Sequence, residues 1–158
     1  SRKLRELLAE CGVAVVYIPY LKNTFVNGAT RWLNANKVLI QLTPRVKYED
    51  ILWFTLFHEL CHVLNHGKKE GYITFQKEDY LKKEFVQLEH EADKFAADIL
   101  IPPREWEEFI SNGTTDPALV RFARKIGFKP GIVAGRLGKE TGEWPRVSRF
   151  RKKIDVAE

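Results

Sequence analysis

His58 and His62 stand four positions apart in the run His58-Glu59-Leu60-Cys61-His62. On a helix, side chains four residues apart are separated by about 40° around the axis, so both imidazoles rise from one face and can close on a single ion. Glu59 projects beside that face, near enough to take a proton from a water on the ion without being a ligand itself. An imidazole pair of this kind suits zinc, and a catalytic zinc takes three protein ligands and leaves one position open. The third ligand must come from elsewhere in the chain, and Glu89 and Glu91 are the candidates. Glu89, Ala92, Asp93 and Ala96 fall on one helical stripe, whose two alanines allow another helix to approach closely. Asp93, one turn after Glu89, could then accept a hydrogen bond from a ligating imidazole. Glu91 points about 160° away from Glu89, which makes Glu89 the preferred ligand and Glu91 the alternative.

The remaining reactive or aromatic side chains have plainer readings. His66 repeats the spacing by one more turn but lies roughly 6 Å further along the axis, too far for the same ion. It reads as a helix-end residue, with a role toward substrate or the oxyanion as a second reading. Cys61 points away from the imidazole pair and reads as a packed small side chain, and His90 reads as solvent-facing. Trp32, Trp53, Phe54 and Phe57 read as core. No motif supplies a donor for a developing oxyanion; Arg31, His66 and Tyr72 are the candidates.

These residues have to be carried by particular elements. Leu4, Leu7 and Leu8 have the spacing of a short amphipathic helix that Gly12 ends, and Val13 to Ile18 is β-branched up to Pro19, as in a strand. Three further short β-type runs cover residues 24–26, 29–33 and 37–42, with turn chemistry at Asn27-Gly28 and Asn34-Ala35-Asn36. Thr43-Pro44 predicts a helix start and Gly67 a stop. Between them the stretch from Ile51 to Leu64 is apolar nearly all round, which predicts a helix through the centre of the domain. Further helices are predicted over 84–100, 104–110, 117–126 and 131–139, with residues 111–115 as a loop. A sheet followed by helices makes the fold α+β: a small, mostly antiparallel sheet packed on the helix that carries the histidines, then a helical C-terminal half.

Composition sets the frame. A chain of 158 residues, 44% hydrophobic and 30% charged, fits one soluble domain over 1–158. The two cysteines, Cys11 and Cys61, give no disulfide framework, and neither a signal peptide nor a membrane-length apolar run is present, so a cytoplasmic setting is expected. The net charge of +5 concentrates from Arg121 to Lys153, within the basic helical segment 115–153, where eleven Arg and Lys stand against Glu140 and Glu143. Such a run is ordinarily a solvated face, and DNA or an acidic partner is its sharper reading.

The run from His58 to His66 (HELCHVLNH) followed by Glu89 to Pro102 (EHEADKFAADILIP) resembles the ImmA/IrrE family of bacterial and phage zinc metallopeptidases. The resemblance extends over residues 28–32, 53–57 and 130–137, which are similar to the branch that follows an Xre-type helix-turn-helix in HigA-like antitoxin regulators. It implies a zincin-like active-site helix, zinc held by His58, His62 and Glu89, and Glu59 as general base. It also implies a protein substrate, a helix-turn-helix repressor or antitoxin cleaved in response to stress, and so a part in transcription regulation. Two departures stand out: Cys61 replaces the usual small residue, and no helix-turn-helix precedes Leu4, as in an excised domain that would otherwise carry a DNA-binding partner. The first functional expectation is therefore a zinc-dependent endopeptidase. Its rivals are a zinc-binding regulatory or sensor domain that hydrolyses nothing, and a basic C-terminal segment that binds DNA.

Overall fold

The computed structural model describes residues 2–19, 27–43, 47–66 and 83–154. The expected strand at 24–26, Pro44, Gly67 and Tyr72 lie outside those residues. Leu4 and Leu8 of α1 (Arg2–Glu10) pack against the sheet, which consists of β1 (Val13–Tyr17), β2 (Gly28–Asn34) and β3 (Lys37–Leu42) in the order β1-β3-β2. β2 and β3 form the expected antiparallel pair, Thr30 opposite Ile40, joined by a turn in which the Asn36 N–H donates to Asn34 Oδ1 at 2.9 Å. β1 joins the other side of β3 in parallel, Val13 opposite Val38 and Val15 opposite Ile40, so the sheet is mixed. Alternation decides which side chains face inward: Val13 and Val15 of β1, Thr30 of β2, and Val38, Ile40 and Leu42 of β3 are buried on one face.

α2 (Glu49–Asn65) lies across that face and separates two apolar clusters. On the sheet side, Leu52, Leu56, Leu60 and Val63 meet the inward strand residues. On the other side, Phe54 and Phe57 meet a helical core drawn from the end of α3 (Lys83–Leu100), α4 (Pro103–Ser111), α5 (Asp116–Lys125) and α6 (Pro130–Thr141), with Trp53 touching both clusters. An apolar surface nearly all round is what a helix between two cores requires. The burial stops short of the helix's end, where Leu64 is 67% exposed. A short helix α7 (Trp144–Val147) and a 3-10 turn at Ser148–Phe150 close the described chain; the sequence reading did not separate them from the basic run.

The start of α2 differs from expectation. Thr43 is not the N-cap of α2; its N–H donates to Asn27 O at 2.8 Å and prolongs the sheet, and the helix begins at Glu49 behind Tyr48. The reason is long-range pairing: Tyr48 bridges Lys153, Glu49 N–H donates to Lys152 O at 2.9 Å and Ile154 N–H to Lys47 O at 2.9 Å. Asp50, in the first turn, accepts from Arg151 Nε at 2.9 Å, both side chains being 8% exposed, and the guanidinium stacks over Tyr48 and Trp144. Gly135 of α6 makes room, since a Cβ there would come within 2.3 Å of Asp50 Oδ2. Other residues of the basic run also find carboxylates, Arg136 with its side chain largely covered, Arg146 partly so, and Lys125, Lys129 and Arg149 at the surface. Arg136 also donates to the Ala97 and Ile101 carbonyls at the end of α3 and stacks on Trp106.

Removing one partner of a buried pair leaves the other charge uncompensated, at a cost of about 3–5 kcal/mol. Arg151→Leu is expected to lose stability on that scale in denaturant unfolding, and adding Asp50→Asn should recover part of it. A double variant no more stable than Arg151→Leu alone would show that the Asp50 charge is not the source of the loss.

Candidate metal centre

α3 packs closely on α2, and the stripe expected to permit this is in place: Ala92 and Ala96 are both 0% exposed. With only methyl groups at these two positions, Glu89 and Asp93 of the same stripe come over the His58 face. His58 Nε2 lies 3.1 Å from His62 Nε2 and 3.4 Å from Glu89 Oε2, and His62 Nε2 lies 3.3 Å from Glu89 Oε1. Ligands held about 2 Å from a small divalent cation in tetrahedral array are roughly 3.3 Å apart, so these three groups have the spacing of donors that share one ion. Two further observations agree. Glu89 Oε1 is buried and makes no hydrogen bond despite its nearness to His62, and the two facing imidazole nitrogens need either a shared proton or a cation between them. Among the described residues, His58, His62 and Glu89 are the one group of three able to hold a metal ion.

Asp93 stands where the sequence reading put it, its Oδ1 2.9 Å from His58 Nδ1. Glu91, the alternative ligand, is turned away from the cluster; its Oε2 lies 3.3 Å from His66 Nε2. His66 occupies the C-terminal end of α2, but its ring turns inward to His62, Nδ1 to Nδ1 at 2.8 Å, which gives it a partner other than the oxyanion considered for it. Arg31 is exposed and follows Thr30, whose side chain faces α2; strand alternation therefore turns Arg31 to the opposite face of the sheet, away from the cluster. His90 is exposed, and Cys61 is fully buried with Asn65 Nδ2 at 3.5 Å from its sulfur, both as expected.

Glu59 is 5% exposed, and its Oε2 accepts from the Thr30 hydroxyl at 2.7 Å. Gly28, also on β2, supplies the space: a Cβ there would lie 2.6 Å from Glu59 Oε1. Sequence reasoning missed both supports. Gly28 stood in it as a turn residue and Thr30 as part of a strand, both within the resembling stretch, because nothing local says that a strand will come to rest against Glu59.

The electrostatics follow from this crowding. Burial pushes the Glu59 carboxyl up, against the Thr30 hydrogen bond and the nearby histidines, which pull it down. For His58 burial favours the neutral form, yet hydrogen bonds to Asp93 and Glu89 and the neighbouring carboxylate charges outweigh it and hold the ring up at about 9. Burial alone would raise Glu89, but its contacts with His58 and His62 hold it down at about 2. The cluster thus draws positive charge inward.

The stretch 39–138 matches the model of a peptidase family described as the IrrE N-terminal-like domain. No curated protein matches the chain.

Two predictions arise from this geometry. Without metal, His58 contributes stability that is complete below pH 6.5 and disappears as pH rises through about 9, while the Glu89 contribution is complete above pH 4.5 and disappears as pH falls through about 2. The melting temperature of chelator-stripped protein should therefore decline between pH 6.5 and 9, and a flat profile there in the stripped protein would contradict the pairing. Replacing His58, His62 or Glu89 by Ala should weaken metal binding beyond the roughly 10–100-fold typical of outer-shell changes, with Glu91→Ala milder than Glu89→Ala. Chelator competition measures this, and the reverse order for the two glutamates would transfer the ligand role to Glu91.

Proposed function

The chain belongs to the IrrE N-terminal-like peptidase family, and from that premise we propose that it is a zinc-dependent endopeptidase acting on a protein regulator. One observation carries the reading: a buried carboxylate, Glu59, held in place by Thr30 beside a His58, His62 and Glu89 set but not part of it. A purely structural metal site has no use for such a group.

In this reading His58, His62 and Glu89 hold the ion, and Asp93 fixes the His58 ring so that Nε2 stays aimed at it. Bound zinc supplies Lewis acidity, which makes a water more acidic and draws electron density from a carbonyl. Glu59 takes the proton from the attacking water as its oxygen bonds to the peptide carbonyl carbon. It returns that proton to the amine nitrogen as the C–N bond breaks. Burial, by raising the Glu59 carboxyl, brings it closer to the range in which a group can both accept and give back a proton near neutrality. Among the described residues β2 is an outer strand of the sheet, so an extended peptide could pair along it and pass beside Glu59. The substrate we propose is a helix-turn-helix repressor or antitoxin of the kind the HigA-like resemblance implies, met in the cytoplasm. Of the basic run, Arg136 and Arg151 are held within the fold and do not offer their charge to DNA.

Glu59→Gln keeps the size of the side chain and removes its ability to accept a proton. Incubated with the repressor or antitoxin encoded beside it, this variant should cleave about two to four orders of magnitude more slowly than the parent, with zinc content and melting temperature nearly unchanged. If derepression of a linked promoter persists undiminished in the variant, hydrolysis is not the function and the zinc-binding regulatory alternative takes its place.

A further inference from the structure

A ligating imidazole stays aimed only if its second ring nitrogen is also held, and the two histidines of the centre are held by different means. His58 Nδ1 meets a carboxylate, Asp93 Oδ1, at 2.9 Å. His62 Nδ1 meets another imidazole, His66 Nδ1, at 2.8 Å. His66 Nε2 in turn lies 3.3 Å from Glu91 Oε2, and the other oxygen of Glu91 accepts from Gln87 Nε2 at 3.1 Å. We infer that His66 and Glu91 are positioning residues for the metal ligand His62, forming a relay in which a neutral imidazole stands where His58 has a carboxylate. The inference rests on the reading of His62 as a ligand.

Ligation fixes the place of every proton along this chain. A ligating Nε2 offers its lone pair, so the proton of neutral His62 sits on Nδ1 and is donated. His66 Nδ1 must then accept, which puts the His66 proton on Nε2, directed at Glu91. Glu91, as a carboxylate, only accepts, and Gln87 donates to its other oxygen. With a proton on each Nδ1, two N–H groups would face each other across 2.8 Å. The hydrogen bonds from His62 to His66 to Glu91 agree with one assignment and end on a negative group at the rim. Position explains why these two residues serve. His66 caps α2 one turn beyond His62, with its backbone N–H on His62 O, so the rings meet edge to face, 4.8 Å apart at 63°. Glu91 leaves α3 on a different line from Glu89 and therefore reaches the second ring instead of the ion. The His62 side chain is 2% exposed, so an acceptor for its Nδ1 has to come from the protein.

The test separates an acceptor at this position from mere packing. His66→Leu removes the acceptor, whereas His66→Asn keeps an oxygen near the place of Nδ1. In the full chain, chelator competition should show zinc binding weakened about 10–100-fold in His66→Leu, largely restored in His66→Asn, and weakened less in Glu91→Leu than in His66→Leu. Loaded with cobalt(II), His66→Leu should show altered visible absorption bands while His66→Asn resembles the parent. The relay is overturned if His66→Leu binds zinc as tightly as the parent, or if His66→Asn is as weak as His66→Leu. Should His66→Leu fail to fold, Glu91→Leu decides alone, and unchanged zinc affinity in it overturns the relay. A parent chain that binds no zinc, or a His62→Ala chain that binds it as tightly as the parent, would instead overturn the ligand reading on which the relay rests.

Discussion

The centre depends on the close approach of α3 to α2. Two imidazoles on one helix make half of a site, and the other half is a carboxylate that has to arrive within about 3.4 Å of both. Ala92 and Ala96, both fully buried on α3, take up little space, and the longer side chains on the same stripe, Glu89 and Asp93, reach the histidines. Larger residues in their place would move α3 outward by more than the tolerance of a ligand bond. Anchoring the far end of α3 serves the same purpose. Arg136 holds the last carbonyls of that helix while lying on Trp106, and Glu140 joins the two by hydrogen bonds to the Arg136 Nε and the Trp106 indole, so the helix is fixed where its site residues are not.

A helix between two apolar cores would ordinarily carry no charge at all, yet α2 buries Asp50, Glu59 and His62. Each is reached by a partner from a different part of the chain: Asp50 by Arg151, Glu59 by Thr30, and His62 by the centre itself. Burying a polar group without compensation costs several kcal/mol, so these contacts are conditions for α2 to occupy its place. They also link the fold's extremities. The C-terminal segment is bound to the first turn of the site helix through Lys152, Lys153 and Arg151, and β2 is bound to its middle.

The sequence disclosed whatever depends on periodicity along one element. The imidazole pair, the stripe that prefers Glu89 to Glu91, the placement of Asp93 and the burial of Cys61 are all consequences of 3.6 residues per turn, and the structure arranges them accordingly. It did not disclose what depends on pairing between distant segments. The parallel entry of β1 leaves no local trace, because a strand buried on one face has the same alternation whichever way its neighbour runs. Thr43-Pro44 has the chemistry of a helix start, but pairing of residues 47–49 with the C-terminal segment moves the start to Glu49. Thr30, Gly28 and the His66 to Glu91 contact were hidden for the same reason: each is a meeting of two elements, and composition names only one side of it.

In the proposed reading, metal holding and proton handling would fall to different parts of this architecture. The prospective ligands and their supports lie entirely on α2 and α3, whereas the prospective base is oriented by β2, through the Thr30 hydroxyl and the space at Gly28. The two functions are therefore mechanically separable. A change in the strand could disable Glu59 while the helices still hold an ion, and such a chain would remain a folded, metal-responsive domain without hydrolysis. The reverse does not hold, because a change that moves α3 away removes the ion and with it the reason for the base. A peptidase centre built this way could become a metal-dependent regulatory domain through changes confined to one strand, and among the described residues the contact between Thr30 and Glu59 is where such a change would act.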